Sequence, residues 1–166
     1  MALATVGRSG RPSQRIVLLK ELNREGFVFY TNFKSRKAEE LARSKSAALL
    51  FYYPENTRQI RIEGRVRKLS EKSSAIYFAT RPRGAQIAAW ASPQSRKLVS
   101  RAELEHRYNL TLERFRGQKI PRPPNWGGYV LIPSRVEFWQ GGQNRLHDRL
   151  VYERRSGRWH LSRLAP

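Results

Sequence analysis

Within residues 57–69 apolar or glycine and polar positions alternate without a break from Gln59 to Arg67. Ile60, Ile62, Gly64 and Val66 fall on one parity, and Gln59, Arg61, Glu63, Arg65 and Arg67 on the other. Successive side chains of an extended strand point to opposite faces. The segment therefore reads as a long β-strand with one buried face and one wet or ligand-facing face. Gly64 in mid-strand predicts a bend or bulge, as a closing sheet requires.

Further strands are expected over 2–6, 14–22, 26–31, 47–53, 129–132, 136–139, 150–153 and 158–164. The centre of 14–22, Ile16 to Leu19, is apolar at every position, which predicts burial on both faces. Turns are expected at 7–12, at Pro133-Ser134 and at Ser156-Gly157. Helical spacing appears in four places. Ser35 precedes Ala38, Leu41 and Ala42; Ser70 opens a helix that must stop near Arg81-Pro82; residues 84–91 form a short one. Ser100-x-x-Glu103 is a capping box for a helix running to about Phe115, with a stripe of Leu104, Tyr108, Leu112 and Phe115 and a stop at Gly117. Pro121 to Pro124 reads as a rigid linker. Most strand connections are too short for parallel crossovers. The fold class is mainly β: an antiparallel split β-barrel with inserted helices.

The 166 residues fit a single domain, 1–166, in which 121–166 form a C-terminal segment. The chain begins inside its first strand, so an N-terminal arm is expected to be absent. With 33 Lys+Arg against 13 Asp+Glu the formal charge is +20, which implies an anionic partner. The cations lie between apolar residues rather than in a tail. Without cysteine there are no disulfides, thiolate metal sites or thiol nucleophiles. No apolar run approaches the ~20 residues that span a bilayer, and the N-terminus lacks the pattern of a signal peptide. A soluble, cytoplasmic protein is the expectation. Nucleotide-binding glycine loops, a nucleophile elbow and His pairs at metal spacing are all missing, and no metal is expected.

Two stretches carry chemistry. In 138–149 (FWQGGQNRLHDR) Arg145, His147 and Arg149 stand at alternate positions, after a strand read as apolar over 136–139. In an extended chain they would share one face beside Trp139 and suit a planar, anionic, aromatic ligand. The same pattern also fits a solvated β-hairpin with surface arginines. In 35–38 (SRKA), Arg36 and Lys37 put the wrong charge at a helix N-terminus, a misfit that a bound anion removes. Two exposed basic residues are the plainer reading. Arg15 and Lys20 bracket the apolar centre of 14–22 and, five apart, point to opposite faces of a regular strand, and Tyr77 and Arg81, four apart, share a helix face.

The motifs RIVLLK, YTN with SRKA, RQIRIEG, YFATRPRGAQIAAW, PQS, PNWGGY, EFWQGGQNRLHDR and RLAP together resemble the pyridoxine/pyridoxamine 5′-phosphate oxidase family over essentially the whole chain. The spacing W-x-G-x-x-x-R-L-H-D-R is the most specific part. The resemblance implies an FMN-binding split barrel that works as a homodimer, with 121–166 serving dimerisation and substrate binding. It implies oxidation of pyridoxamine 5′-phosphate or pyridoxine 5′-phosphate to pyridoxal 5′-phosphate, with O2 as acceptor and H2O2 as product, in vitamin B6 salvage.

Carried over by motif, the FMN contacts are Arg15, Ile16, Val17, Leu18, Tyr30, Thr31, Arg36, Lys37, Gln59, Gln94, Ser95, Trp139 and Arg149. Lys20, Tyr77 and Arg81 would grip the substrate phosphate. Arg145 and His147 would lie over the pyridine ring as the catalytic pair, orienting it toward the flavin. The chain departs from the family at Ala85, where relatives usually have a serine for the phosphate. Two other readings remain at this level: a basic barrel that binds nucleic acid, and a split-barrel flavin oxidase of another substrate, such as one of a phenazine pathway.

Overall fold

The computed structural model describes residues 1–166. Its nine-stranded sheet comprises β1 (Ala2–Val6), β2 (Pro12–Ile16), β3 (Glu21–Leu22), β4 (Phe27–Asn32), β5 (Ser46–Tyr53), β6 (Arg58–Lys68), β7 (Trp126–Gln140), β8 (Asp148–Arg155) and β9 (Arg158–Arg163). The order is β2-β1-β5-β6-β7-β4-β3, with β8 pairing β7 and β9 pairing β8. Helix α1 (Arg36–Ser44) follows β4, and α2 (Glu71–Thr80), α3 (Arg83–Ala91) and α4 (Arg101–Arg114) lie between β6 and β7. The ladders β1–β2, β1–β5, β3–β4, β5–β6, β7–β8 and β8–β9 are all antiparallel. The architecture is mainly antiparallel β with inserted helices, as the short connections require.

The alternation of β6 is realised: Ile62 and Val66 are buried while Arg61, Glu63, Arg65 and Arg67 are exposed. Gly64 has a different reason from the one expected. The β5–β6 register runs through Ala47↔Gly64 unbroken, with no bulge. A Cβ at Gly64 would sit 2.1 Å from the Ile132 carbonyl oxygen. Glycine is needed because two backbones approach closely there.

Three expectations need correction. Residues 14–22 form two short strands, and the apolar centre is not buried on both faces: Ile16 is 75% and Leu18 65% exposed. β2 and β3 sit at opposite ends of the sheet order. The chain between them is tied by the Val17 N–H to Met1 O and by the Lys20 N–H to Val28 O. It links the two ends with no strand outside it, so outward side chains stay uncovered. Pro133-Ser134 is not a turn, because β7 passes through it without interruption. A proline lacks a donor but accepts an extended backbone. In α1, Ala38 and Leu41 are buried as expected, but Ala42 is exposed and Glu40 is buried.

Helix starts follow their caps. The Ser70 hydroxyl accepts from the Ser73 N–H at 3.0 Å, and the Ser100 hydroxyl from the Glu103 N–H at 3.2 Å. The Glu103 carboxylate accepts from the Val99 N–H at 2.8 Å, closing the reciprocal half one residue early. In the α4 stripe Phe115 is buried and Leu104 and Tyr108 half-buried, but Leu112 is 38% exposed.

The chain divides into two compact units. The first comprises 1–29, 40–67 and 130–166, and its core is Leu3, Val28, Phe29, Leu41, Leu49, Ile62, Val130, Leu131 and Val151. The second comprises 30–39 and 68–129, with a core of Phe78, Ile87, Phe115, Ile120 and Trp126.

Substituting Gly64→Ala is expected to cost about 1–3 kcal/mol, because neither backbone can give way without losing ladder hydrogen bonds. At about 2–4 °C per kcal/mol the melting temperature falls by roughly 2–12 °C. Gly117, at φ +68° with open space around it, pays only the left-handed strain on Gly117→Ala, about 1 kcal/mol. Thermal unfolding of the two variants side by side checks the ranking.

Candidate active site

In the first unit, a cleft of about 470 Å³ is lined by Tyr53, Arg58, Gln59, Phe138, Trp139 and Asp148, among others. Gln59 and Trp139 were expected at the cofactor; Tyr53, Arg58, Phe138 and Asp148 were not. Strand β7 brings Trp139 to the cleft, and β6 brings Gln59. The lining mixes aromatic surface with amide and guanidinium donors, the composition that suits a planar, polar ring system.

The segment after Trp139 departs from the expected extended chain. Residues 143–145 make a 3-10 turn, and Asn144 and Arg145 have φ of +52° and +63°. Arg145 and Arg149 therefore do not share a strand face; alternation resumes only at Asp148, where β8 begins. A left-handed arginine is sparsely populated backbone of the kind that clusters at functional sites. The turn closes on itself: Leu146 N–H donates to Gln143 O at 3.0 Å and His147 N–H to Arg145 O at 2.9 Å. A Cβ at Gly142 would lie 2.1 Å from the Leu146 carbonyl oxygen, which accounts for that glycine. The His147 ring packs against Trp139 at 4.6 Å between centroids, and its Nδ1 accepts from the Gly142 N–H at 3.2 Å. When neutral, the imidazole thus carries its proton on Nε2. Arg145 is exposed.

Glu137 is the residue that sequence reasoning missed. The span 136–139 was read as apolar, yet Glu137 sits in it with no exposure at all. Its Oε1 accepts from Arg149 Nε at 2.9 Å and its Oε2 from Arg135 Nη2 at 3.0 Å, with Arg61 Nη1 3.4 Å away. Burial is the largest single influence on its carboxyl and pushes the pKa up. The hydrogen bonds from Arg149 and Arg135 and the charges of Arg61 and Arg149 together outweigh it, holding the pKa below the ordinary glutamate value. The Glu137 bond likewise raises the Arg149 pKa. The available signal was parity: Glu137 shares the face of Arg135 and Trp139, two positions either way.

Arg15, also expected at the flavin, donates to Thr5 Oγ1 at 2.5 Å, Ser13 Oγ at 2.7 Å and Glu40 Oε2 at 3.3 Å. Glu40 is a second buried carboxylate that the sequence did not flag. Ile16, Val17, Leu18 and Lys20 follow along the connection to β3, with Ile16, Leu18 and Lys20 exposed.

The second unit brings two sets together. At the end of β4, buried Thr31 donates its hydroxyl to Gln94 Oε1 at 3.1 Å, and Lys37 Nζ lies 3.3 Å from the same hydroxyl and 3.5 Å from Gln94 Oε1. Arg36, Lys37, Thr31 and Gln94 were all expected at the flavin phosphate or ring. Ser95 follows Gln94 with φ +69°. The second set is an aromatic column. Tyr30 stacks on Tyr77 at 3.9 Å and on Trp126 at 5.3 Å, and the Arg81 guanidinium lies 4.7 Å over Trp126. Trp126 was not anticipated.

Arg81 is the C-cap of α2, which fixes where its side chain leaves the helix. Its Nη1 is buried and has no hydrogen-bond partner. Burial lowers its pKa from the ordinary arginine value, against a smaller opposing effect of Tyr77. A guanidinium nitrogen shielded from water and left unpaired is costly, and an anion at that point removes the cost.

Known proteins resemble this chain over its whole length. A family model described as pyridoxamine 5′-phosphate oxidase matches residues 1–115. A second, described as the pyridoxine 5′-phosphate oxidase C-terminal dimerisation region, matches residues 126–166. Proteins of Burkholderia mallei (strain SAVP1) and Burkholderia thailandensis named pyridoxine/pyridoxamine 5′-phosphate oxidase are 56% identical over 169 residues, covering 100% of this chain and 78% of each relative. Among solved structures, PhzG from Burkholderia lata 383, in complex with tetrahydrophenazine-1-carboxylic acid, superposes with a TM-score of 0.94 at 36% identity, covering 99% of this chain and 81% of that one. A pyridoxamine 5′-phosphate oxidase-related, FMN-binding protein of Nostoc punctiforme PCC 73102 shares the fold at TM-score 0.79 and 20% identity, covering 99% and 87%. The architecture is thus a split β-barrel with helical decoration. The chain belongs to the pyridoxamine 5′-phosphate oxidase family.

Acid titration gives a test of the Glu137 cluster. An unfolded glutamate titrates near ~4.3, and the folded value lies below it. The contribution to stability is therefore full above about pH 4.3 and is lost as pH falls through the folded pKa. The gap in melting temperature between the parent chain and Glu137→Gln is expected to be widest above pH 5 and to narrow toward pH 3. Thermal unfolding across that range measures it; a constant gap contradicts the assignment.

Proposed function

We propose that the protein is an FMN-dependent oxidase of pyridoxamine 5′-phosphate and pyridoxine 5′-phosphate that works as a homodimer. The balanced reactions are pyridoxamine 5′-phosphate + O2 + H2O → pyridoxal 5′-phosphate + NH3 + H2O2, and pyridoxine 5′-phosphate + O2 → pyridoxal 5′-phosphate + H2O2. The observation that supports this reading best is the buried, unpartnered Nη1 of Arg81, in a family whose named members act on phosphorylated vitamers. A guanidinium fork held on an aromatic face is well matched to a phosphate monoester. The match of residues 126–166 to a dimerisation region supports the dimer.

The cleft beside Gln59 and Trp139 fits a planar ring, and the Lys37–Thr31–Gln94 set fits the anionic end of a cofactor. On this reading Arg15 to Leu18, Tyr30, Thr31, Arg36, Lys37, Gln59, Gln94, Ser95, Trp139 and Arg149 hold FMN. When bound, FMN would supply the two-electron redox chemistry that couples the substrate to O2. The chain's own residues bind and orient. Lys20, Tyr77 and Arg81 hold the substrate phosphate. Arg145 offers a flat cation to the pyridine ring, and His147 offers the N–H of Nε2 because its Nδ1 is already engaged. Trp139 backs His147 and limits the directions in which that N–H can point.

A second reading is favoured by one observation, the likeness to PhzG bound to tetrahydrophenazine-1-carboxylic acid. That ligand carries a carboxylate and no phosphate. Purified protein is expected to be yellow and to release peroxide with both vitamer phosphates. Turnover of the tetrahydrophenazine acid with none of pyridoxamine 5′-phosphate would reverse the assignment, and a colourless protein that takes up no FMN would end both.

Two substitutions probe the phosphate. Arg81→Met is expected to raise KM for pyridoxamine 5′-phosphate at least about tenfold, as loss of a charged hydrogen bond implies. Ala85→Ser restores a hydroxyl and is expected to lower KM roughly 2- to 12-fold, equivalent to about 0.5–1.5 kcal/mol. Steady-state peroxide release measures both.

A further inference from the structure

We propose that Glu137 is a positioning residue for the cofactor: it acts through Arg149, whose guanidinium it aims at the flavin. The inference rests on the flavin reading above and assigns a role to a residue that the motif 137–149 contains but that was given no role there.

The argument starts from the freedom of arginine. Its long side chain presents a planar fork that can point almost anywhere until two of its nitrogens are tied. In Arg149 two are. Nε donates to Glu137 Oε1 at 2.9 Å, and Nη1 donates to the Ala165 carbonyl at 3.0 Å. Together these fix the plane of the fork and leave Nη2 without a hydrogen bond in the chain. The Arg149 side chain is 23% exposed, so the tied edge is inside and the fork is not sealed off. In the β7–β8 ladder Arg149 stands opposite Trp139, a residue of the cleft.

Glu137 is itself immobilised. Arg135 bridges it at 3.0 Å, and Arg135 also reaches Glu63 at 3.0 Å and Glu153 at 3.7 Å. Arg61 closes the other side at 3.4 Å. The result is a chain of alternating charge, Glu63–Arg135–Glu137–Arg149, that ends across the β7–β8 ladder from Trp139. A carboxylate with no exposure cannot relax toward water, so the direction it imposes on Arg149 is rigid. A purely structural cluster would need the same bonds within β6, β7 and β8, but it would not matter to it where the free Nη2 points.

A double-mutant cycle separates the two roles. FMN is titrated into the flavin-free full chain and followed by flavin fluorescence, for the parent, Glu137→Gln, Arg149→Met and the double variant. Glu137→Gln is expected to weaken FMN binding at least tenfold in the parent background and less than twofold in the Arg149→Met background. Equal weakening in both backgrounds, or no weakening in the parent, overturns the proposal. Failure of the parent itself to bind FMN refutes the flavin reading instead. If Glu137→Gln does not fold by circular dichroism, Glu137→Asp keeps the charge with a shorter reach. The same cycle then decides by the same criteria.

Discussion

A carboxylate stripped of water stays ionised only if fixed cations replace the solvent. In this chain, acids are the scarce partner, with 13 against 33 Lys+Arg. The two buried acids are accordingly surrounded. Glu137 takes three guanidiniums, and Glu40 takes Arg15 together with two hydroxyls. Those contacts bind β8 to β7 and β2 to α1, so the local order of the first unit rests on where these two acids are buried.

The same scarcity leaves cationic groups with nothing to pair with inside the chain. Arg81 Nη1 is buried without a partner, and Arg149 Nη2 is left over once Nε and Nη1 are tied. Both arginines have an aromatic neighbour, Trp126 beneath Arg81 and Trp139 across the ladder from Arg149. Aromatic surface beside an unsatisfied guanidinium suits an anionic ring compound. The proposed flavin and vitamer assignments both draw on that match.

How far the residues alone disclosed this differs from element to element. The alternation of 57–69, the Ser70 and Ser100 caps and the stop at Arg81 were legible because each depends on neighbours within a few positions. The pairing of Thr31 with Lys37 and Gln94 could be expected only through the family motifs, since 57 residues separate Lys37 from Gln94. Glu137 and Glu40 were not legible. A charged residue inside a strand or helix reads as solvent-facing unless the cations that will surround it are known, and Arg61 and Arg149 reach Glu137 from other strands, as Arg15 reaches Glu40 from β2. The run 16–19 was misread for a related reason. Apolar composition predicts burial, but burial depends on whether another strand lies outside, and here none does.

What the amino-acid order determined by itself is therefore local. It set strand periodicity, helix ends, and a surplus of cations with too few acids to neutralise them. Only the tertiary structure decided which cations meet which acids, which guanidinium nitrogens remain unpaired, and that Arg145 leaves the strand in a left-handed turn while Arg149 stays on it. The reason is range. Backbone preferences are settled within one or two turns of chain, whereas the energy of a buried charge depends on every group within a few ångströms, and those groups are assembled by folding.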